Sequence, residues 1–199
     1  MTAGTKGMQR AERESLILDA ATERFALQGF TGVALTDIAK AAGVTKPLVY
    51  SYFGPKEDLY TACLDRAGDN IVDTISAALV GVPPDIDMAL VVIDALFTAL
   101  EPHPHDWTLL YDTPVPPVAV LADRLHKQRK RIDGLAVNGV HQVAINLGVT
   151  DPNDISLATD IWTSTLSALV RWWLAHPSHT AADMVDRSRS LGARIANHR

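Results

Sequence analysis

LTDIAKAAGVTKPLVYSYFGPKEDLY, residues 35–60, decides the fold of this chain. A short helix is predicted from Thr36, a favourable N-cap residue type, through TDIAKAA to Gly43. A second begins at about Thr45, accommodates Pro47 in its first turn and carries Leu48 to Phe53, where Gly54-Pro55 stops it. Two short helices joined through a glycine are the helix-turn-helix arrangement. Gly43 supplies the left-handed backbone that the turn needs. Ile38, Ala39, Ala42, Val44, Val49 and Phe53 are the apolar set that packs both helices onto a preceding one. Thr45, Lys46, Leu48, Tyr50 and Tyr52 are left on the outward face of the second.

Working outward, the flanking segments are also helical. Between Ala11 and Gln28, Ile17, Ala21 and Phe25 recur every fourth residue, a stripe one helix can bury, and Gly29 closes it. A long helix opens at Lys56 with Leu59, Cys63, Ala67, Ile71 and Ile75 on one face, and stops before Val82-Pro83-Pro84. Further helices are predicted over 85–101, 105–113 and 117–147, the last interrupted by Gly134 and Gly139. Asp151-Pro152 reads as an N-cap and first-turn proline for a helix to His176. Thr180 with Asp183 reads as a capping box for a last helix to about Asn197. No sustained alternation of apolar and polar residues reads as strand. The expectation is an all-α chain of about nine helices: a tail over 1–10, a three-helix domain over 11–57 and a helical bundle over 58–199.

Charge favours a local contact with nucleic acid. The net charge is −5, yet residues 1–60 carry seven basic and seven acidic residues, so the excess lies entirely beyond them. From Ile38 to Lys56 there are three lysines (Lys40, Lys46 and Lys56) and no acid. Helix N-termini in the same stretch offer N–H groups and positive dipole ends to phosphates. The single cysteine, Cys63, excludes a disulfide within one chain; it sits on the apolar stripe and is expected in the core. MTAGTKGMQR has no apolar core, and the most apolar window, ALVVIDALFTAL, is too short to span a bilayer. A cytoplasmic protein without membrane partners is expected.

The run T-D-I-A-K-A-A-G-V-T-K-P-L-V-Y-S-Y-F-G-P-K-E-D-L-Y, with ILDAATERFALQGFTGVAL before it, resembles the DNA-binding signature of the tetracycline-repressor (TetR) family. The resemblance is close over residues 11–60 and extends to the rest by helix number and length. It implies a dimeric transcriptional repressor that binds a near-palindromic operator and is released by a small-molecule effector; the alternatives are an activator or partner-protein-controlled regulator of the same fold, or a helical-bundle enzyme with a vestigial DNA-binding domain. It further implies that Thr36 caps its helix near a phosphate, that Lys46, Pro47 and Leu48 face base edges or flanking backbone, and that Tyr50, Tyr52 and Lys56 hold phosphates, with Lys40 and Thr45 completing the contact set. Leu48 stands where many members carry Gly, Ala or Thr; it cannot hydrogen-bond a base, which favours apolar contact with thymine methyls.

Beyond residue 60 the resemblance implies an effector pocket. Phe97, Trp107, Tyr111, Asn138, His141 and Trp162 are its candidate lining, suited to a lipophilic or aromatic molecule. Apolar residues on more than one face of the helix at 152–176 predict burial against both its own domain and a partner subunit. Leu166, Leu169, Val170 and Trp173 are the candidate dimer contacts, joined by Leu191 and Ile195 of the last helix. No catalytic constellation is evident, and no cofactor is implied. The spacing Gly134-LAVN-Gly139 lacks the Lys-Ser/Thr of a phosphate loop. His103 and His105 are expected to face solvent rather than to form a metal site with Asp106, and the basic run Lys127–Arg131 with Arg124 to form a solvated helix face.

Overall fold

The computed structural model describes residues 9–196, the side chains of 195 and 196 excepted, and the described residues are helical with no strand. The helices are α1 (Arg10–Gln28), α2 (Leu35–Ala41), α3 (Lys46–Phe53), α4 (Lys56–Ala78), α5 (Met88–Leu100), a π-helical segment (Thr108–Asp112), α6 (Ala119–Asn146), α7 (Pro152–Leu174) and α8 (Ala181–Ala196). They form two compact units. One comprises the chain up to Gly68 together with His105–Arg129; the other comprises Asp69–Pro104 and the chain from Lys130 onward. Among the described residues no helix is long and apolar enough to cross a membrane.

In the first unit the α1 stripe is buried as its spacing requires, with Ile17, Ala21 and Phe25 wholly enclosed. Tyr60 of α4 meets Phe25 edge-on, with ring centroids 4.9 Å apart, and Phe30 at 5.2 Å. Ile38 and Ala39 of α2 and Val49 of α3 complete the small core under the helix-turn-helix. The start of α4 adds Leu59, Cys63, Leu64 and Ala67, and the π-helical segment adds Leu109 and Leu110 beside buried Trp107. A regular α-helix was expected over 105–113. The observed segment is wider and shorter, and Thr113 Oγ1 donates to the Leu109 carbonyl at 2.8 Å.

Packing overturns two expectations about polar residues. Beside the loop histidines, Asp106 is wholly buried, and Arg66 of α4 reaches it at 3.5 Å while also bonding Asp19 and Thr22 of α1. His105 is half-buried, and its Nδ1 is enclosed without a hydrogen-bond partner. Nor is the basic run a solvated face. Arg124 makes a bidentate pair with Asp65, buried Gln128 donates to the same carboxylate at 2.7 Å, and Arg129 donates to the Leu110 carbonyl. Lys127 and Lys130 do face solvent. The local pattern of charges does not reveal which neighbours fold over them.

In the second unit α5 packs along α8. Leu96, Phe97 and Leu100 of α5 are buried with Ala181, Met184 and Val185 of α8 and with Leu166, Val170 and Trp173 of α7. The Trp173 ring meets Phe97 edge-on at 5.4 Å, and its indole N–H donates to the His179 carbonyl at 2.8 Å. Helix ends form as their residues dictate. The Asp151 side chain accepts from the Asn153 N–H at 2.8 Å, and Thr180 and Asp183 close a reciprocal capping box at 2.8 and 3.1 Å. The backbone and hydroxyl bonds from Thr180 hold the Asp183 carboxyl below its usual range.

The predicted interruption of α6 at Gly134 and Gly139 does not occur, and the helix is continuous. A methyl group added at Gly139 would lie 3.1 Å from Met88 Cε, so this glycine admits the start of α5; one at Gly134 would meet nothing within 4 Å.

Candidate nucleic-acid interface

The α2–α3 junction has the geometry that its glycine predicts. Gly43 takes φ +65°, its N–H donates to the Lys40 carbonyl at 3.2 Å, and Val44 N–H reaches back to Ala39 at 2.9 Å. This turn seats Ile38, Ala39 and Val49 inward. Thr45 occupies the N-cap position of α3, and its carbonyl accepts from Leu48 and Val49 N–H at 3.0 and 3.1 Å. Pro47 lies in the first turn, where its missing N–H costs no helical bond. That turn contains no acidic residue.

Thr36 is not the α2 cap. The helix begins one residue earlier, with Ala34 at the cap and the Asp37 carboxylate accepting the Ala34 N–H at 3.3 Å. Asp37 serves this end of the helix from within its first turn, so Thr36 is released to solvent. Thr36, Lys40, Thr45, Lys46, Pro47 and Tyr50 are all exposed, and Leu48 is half-buried. Together they make an outward surface with two lysines, two threonine hydroxyls and one phenol, suited to phosphate and groove contacts.

Tyr52 and Lys56 are held differently. The Tyr52 hydroxyl accepts from Arg13 Nη1 of α1 at 3.0 Å, and the Arg10 guanidinium lies 5.2 Å from its ring centroid. Both arginines escape a reading of residues 35–60, because their nearness to α3 arises from tertiary packing; their basic character was the only available signal. The Lys56 ammonium donates to the Phe30 and Val33 carbonyls at 2.9 and 3.0 Å and sits 4.2 Å from the Phe30 ring centroid. It therefore pins the loop between α1 and α2 and retains at most one N–H for an outside acceptor.

The remaining candidates fall in both units. Trp107 and Tyr111 belong to the first, where their rings stack 4.4 Å apart with Trp107 buried and Tyr111 half-buried. Phe97, Asn138, His141 and Trp162 belong to the second: Phe97 is wholly buried, Trp162 half-buried, and Asn138 and His141 exposed. Of the candidate dimer contacts, Leu166, Val170 and Trp173 are buried within the protomer, Leu169 is half-buried and Leu191 exposed. The Ile195 side chain lies outside the described residues. The outward apolar side chains of α7 are instead Leu157, Ile161, Ala168 and Trp172.

Residues 17–63 match the family of bacterial regulatory proteins, tetR family. Over 105 residues the chain is 31% identical to the HTH-type transcriptional activator FasR of Mycolicibacterium smegmatis, covering 53% of this chain and 48% of FasR. Over 63 residues it is 48% identical to the HTH-type transcriptional regulatory protein RaaS of Mycobacterium tuberculosis, covering 32% of this chain and 29% of RaaS. The chain thus matches about half the length of one of these relatives and less than a third of the other. The fold extends further. The structure of the ketosteroid transcriptional regulator KstR2 of Mycobacterium tuberculosis superposes with a TM-score of 0.72 at 22% identity, over 93% of this chain and 94% of that one. A TetR-like transcriptional regulator from Rhodococcus gives 0.68 at 23%, over 96% and 100%. Residues 17–63 thus match the DNA-binding segment of the bacterial tetR family, and the all-helical fold is shared almost end to end with these solved regulators.

Proposed function

We propose that this protein is a dimeric transcriptional repressor that binds a near-palindromic operator through α2 and α3 and is released by a lipophilic or aromatic effector. The observation that carries the DNA-binding reading is the lysine-bearing face of Thr36, Lys40, Thr45, Lys46, Pro47 and Tyr50, exposed on a helix-turn-helix with no acidic residue from Ile38 to Lys56. Residues 11–57 act as the DNA-binding domain, and 58–199 provide the effector site and the dimer contacts, in a non-enzymatic, cytoplasmic protein. The dimer face is the outward stripe of α7, and half-buried Trp162 is the aromatic candidate of the second unit with surface left for a ligand. An activator is the second reading, favoured by the name of FasR.

Sequencing of genomic fragments retained by the purified protein tests the proposal. The expected result is enrichment of two inverted half-sites one helical turn apart, or a multiple of it. Tyr50→Ala should weaken binding to the enriched site and to random duplex alike, as loss of a phosphate contact does, whereas Leu48→Ala should change which half-site is preferred. No enrichment over input DNA would end the DNA-binding reading. A compound that raises the melting temperature and lowers affinity for the enriched site would identify the effector class; transcription that falls in a deletion strain would favour the activator.

A further inference from the structure

We propose that Arg10 and Arg13 of α1 form, with Tyr52 of α3, a second contact that grips a DNA phosphate beside the recognition helix. This rests on the DNA-binding reading above and adds to it a site outside residues 35–60. Tyr52 lies one turn beyond Leu48 and two beyond Thr45 on one stripe of α3, so it continues the face that carries the exposed groove residues. Its hydroxyl oxygen accepts from Arg13 at 3.0 Å, which leaves the phenolic proton to be donated to another acceptor. The exposed Arg10 guanidinium is held 5.2 Å from the same ring. Two guanidiniums thus converge on one phenol.

The location explains why cations are needed there. A helix presents its positive end at its N-terminus, so phosphates near Thr45, Lys46 and Pro47 are favoured without further charge. Tyr52 lies in the last turn of α3, where unpaired carbonyls carry the opposite partial charge and oppose an anion. Arg10 and Arg13 offset that field from the start of α1, which also carries Glu12 and Glu14. A phosphodiester matches this set, because a guanidinium fork can meet two of its oxygens while the phenol supplies a third donor.

Binding of a fluorescein-labelled random-sequence duplex, followed by anisotropy across a salt series, separates this clamp from a mere strut between α1 and α3. Arg10→Gln and Arg13→Gln should each flatten the slope of log K against log salt by about 0.9, the increment for one phosphate contact. Arg13→Lys should keep the slope. Tyr52→Phe should lower affinity about five- to tenfold at every salt concentration with the slope unchanged. A strut predicts lower melting temperatures and parallel salt slopes for both glutamine variants, and that result overturns the clamp. Arg10 is exposed at the very start of α1, so Arg10→Gln remains informative even where Arg13→Gln folds poorly. If the unaltered protein binds no duplex at low salt, the DNA-binding reading itself fails; if it binds and the two glutamine variants match it, only the clamp does.

Discussion

His105 carries a pH dependence whose sign follows from its surroundings. Burial pushes its imidazole below the usual 6.5, with Glu23 acting weakly in the other direction, and its enclosed Nδ1 has no hydrogen-bond partner. The folded chain therefore keeps this ring neutral while the unfolded chain protonates it near 6.5. Stability from this residue is present above that pH and is lost as pH falls toward the lowered folded value. Melting temperatures at pH 7.5 and 5.5 should differ less for His105→Gln than for the unaltered protein; equal differences would show that other groups carry the acid sensitivity. Cys63 illustrates the same burial from the opposite side. Enclosure pushes its thiol up to about 12, which matches the core position expected from the α4 stripe and leaves it inert toward oxidants while folded.

At the scale of elements, the glycines of α4 and α6 separate packing from propensity. A methyl group at Gly68 would collide with Gln128 Oε1, and that side chain is buried and tied to Asp65. Gly68→Ala should therefore destabilise the protein by roughly 1–3 kcal/mol, the usual cost of forced overpacking. Gly134→Ala meets open space in a continuous helix and should stabilise it by up to about 1 kcal/mol. Chemical denaturation of the two variants checks both signs; destabilisation by Gly134→Ala would mean that the α6 backbone needs glycine there. By sequence, Gly134 and Gly139 are alike, two interruptions of one helix. Only the position of Met88 distinguishes them.

For the whole molecule, the proposed dimer makes the most exposed prediction. Sedimentation at micromolar concentration should give about twice the 21.5 kDa of one chain. Leu157, Ile161, Ala168 and Trp172 follow one another at helical spacing on the outer side of α7, and Leu191 is exposed on α8. A double change, Ile161→Glu with Trp172→Glu, should yield a folded monomer, because neither side chain belongs to the buried core. Val170→Glu tests something else: Val170 is wholly enclosed, so an unpaired charge there should unfold the unit rather than separate the subunits. A folded monomer from the unaltered chain would remove the dimer and the symmetric operator with it.

What the sequence alone determined were properties set within a turn or two of chain. The buried stripes of α1 and α4, the Gly43 turn, the Asp151 cap and the Thr180–Asp183 box are of this kind, since period, chirality and capping act between neighbours. The exposure of Thr45, Lys46 and Tyr50 was legible for the same reason. Partnerships across the chain were decided only by tertiary structure. Arg13 with Tyr52, Lys56 with the Phe30 and Val33 carbonyls, Arg66 with Asp19 and Asp106, and the inward turn of Leu166, Val170 and Trp173 each join residues or faces that local periodicity leaves equivalent. A long cationic side chain has the same helical spacing whether it meets water, a carboxylate or a phosphate, and which of these it meets is chosen by the element packed opposite.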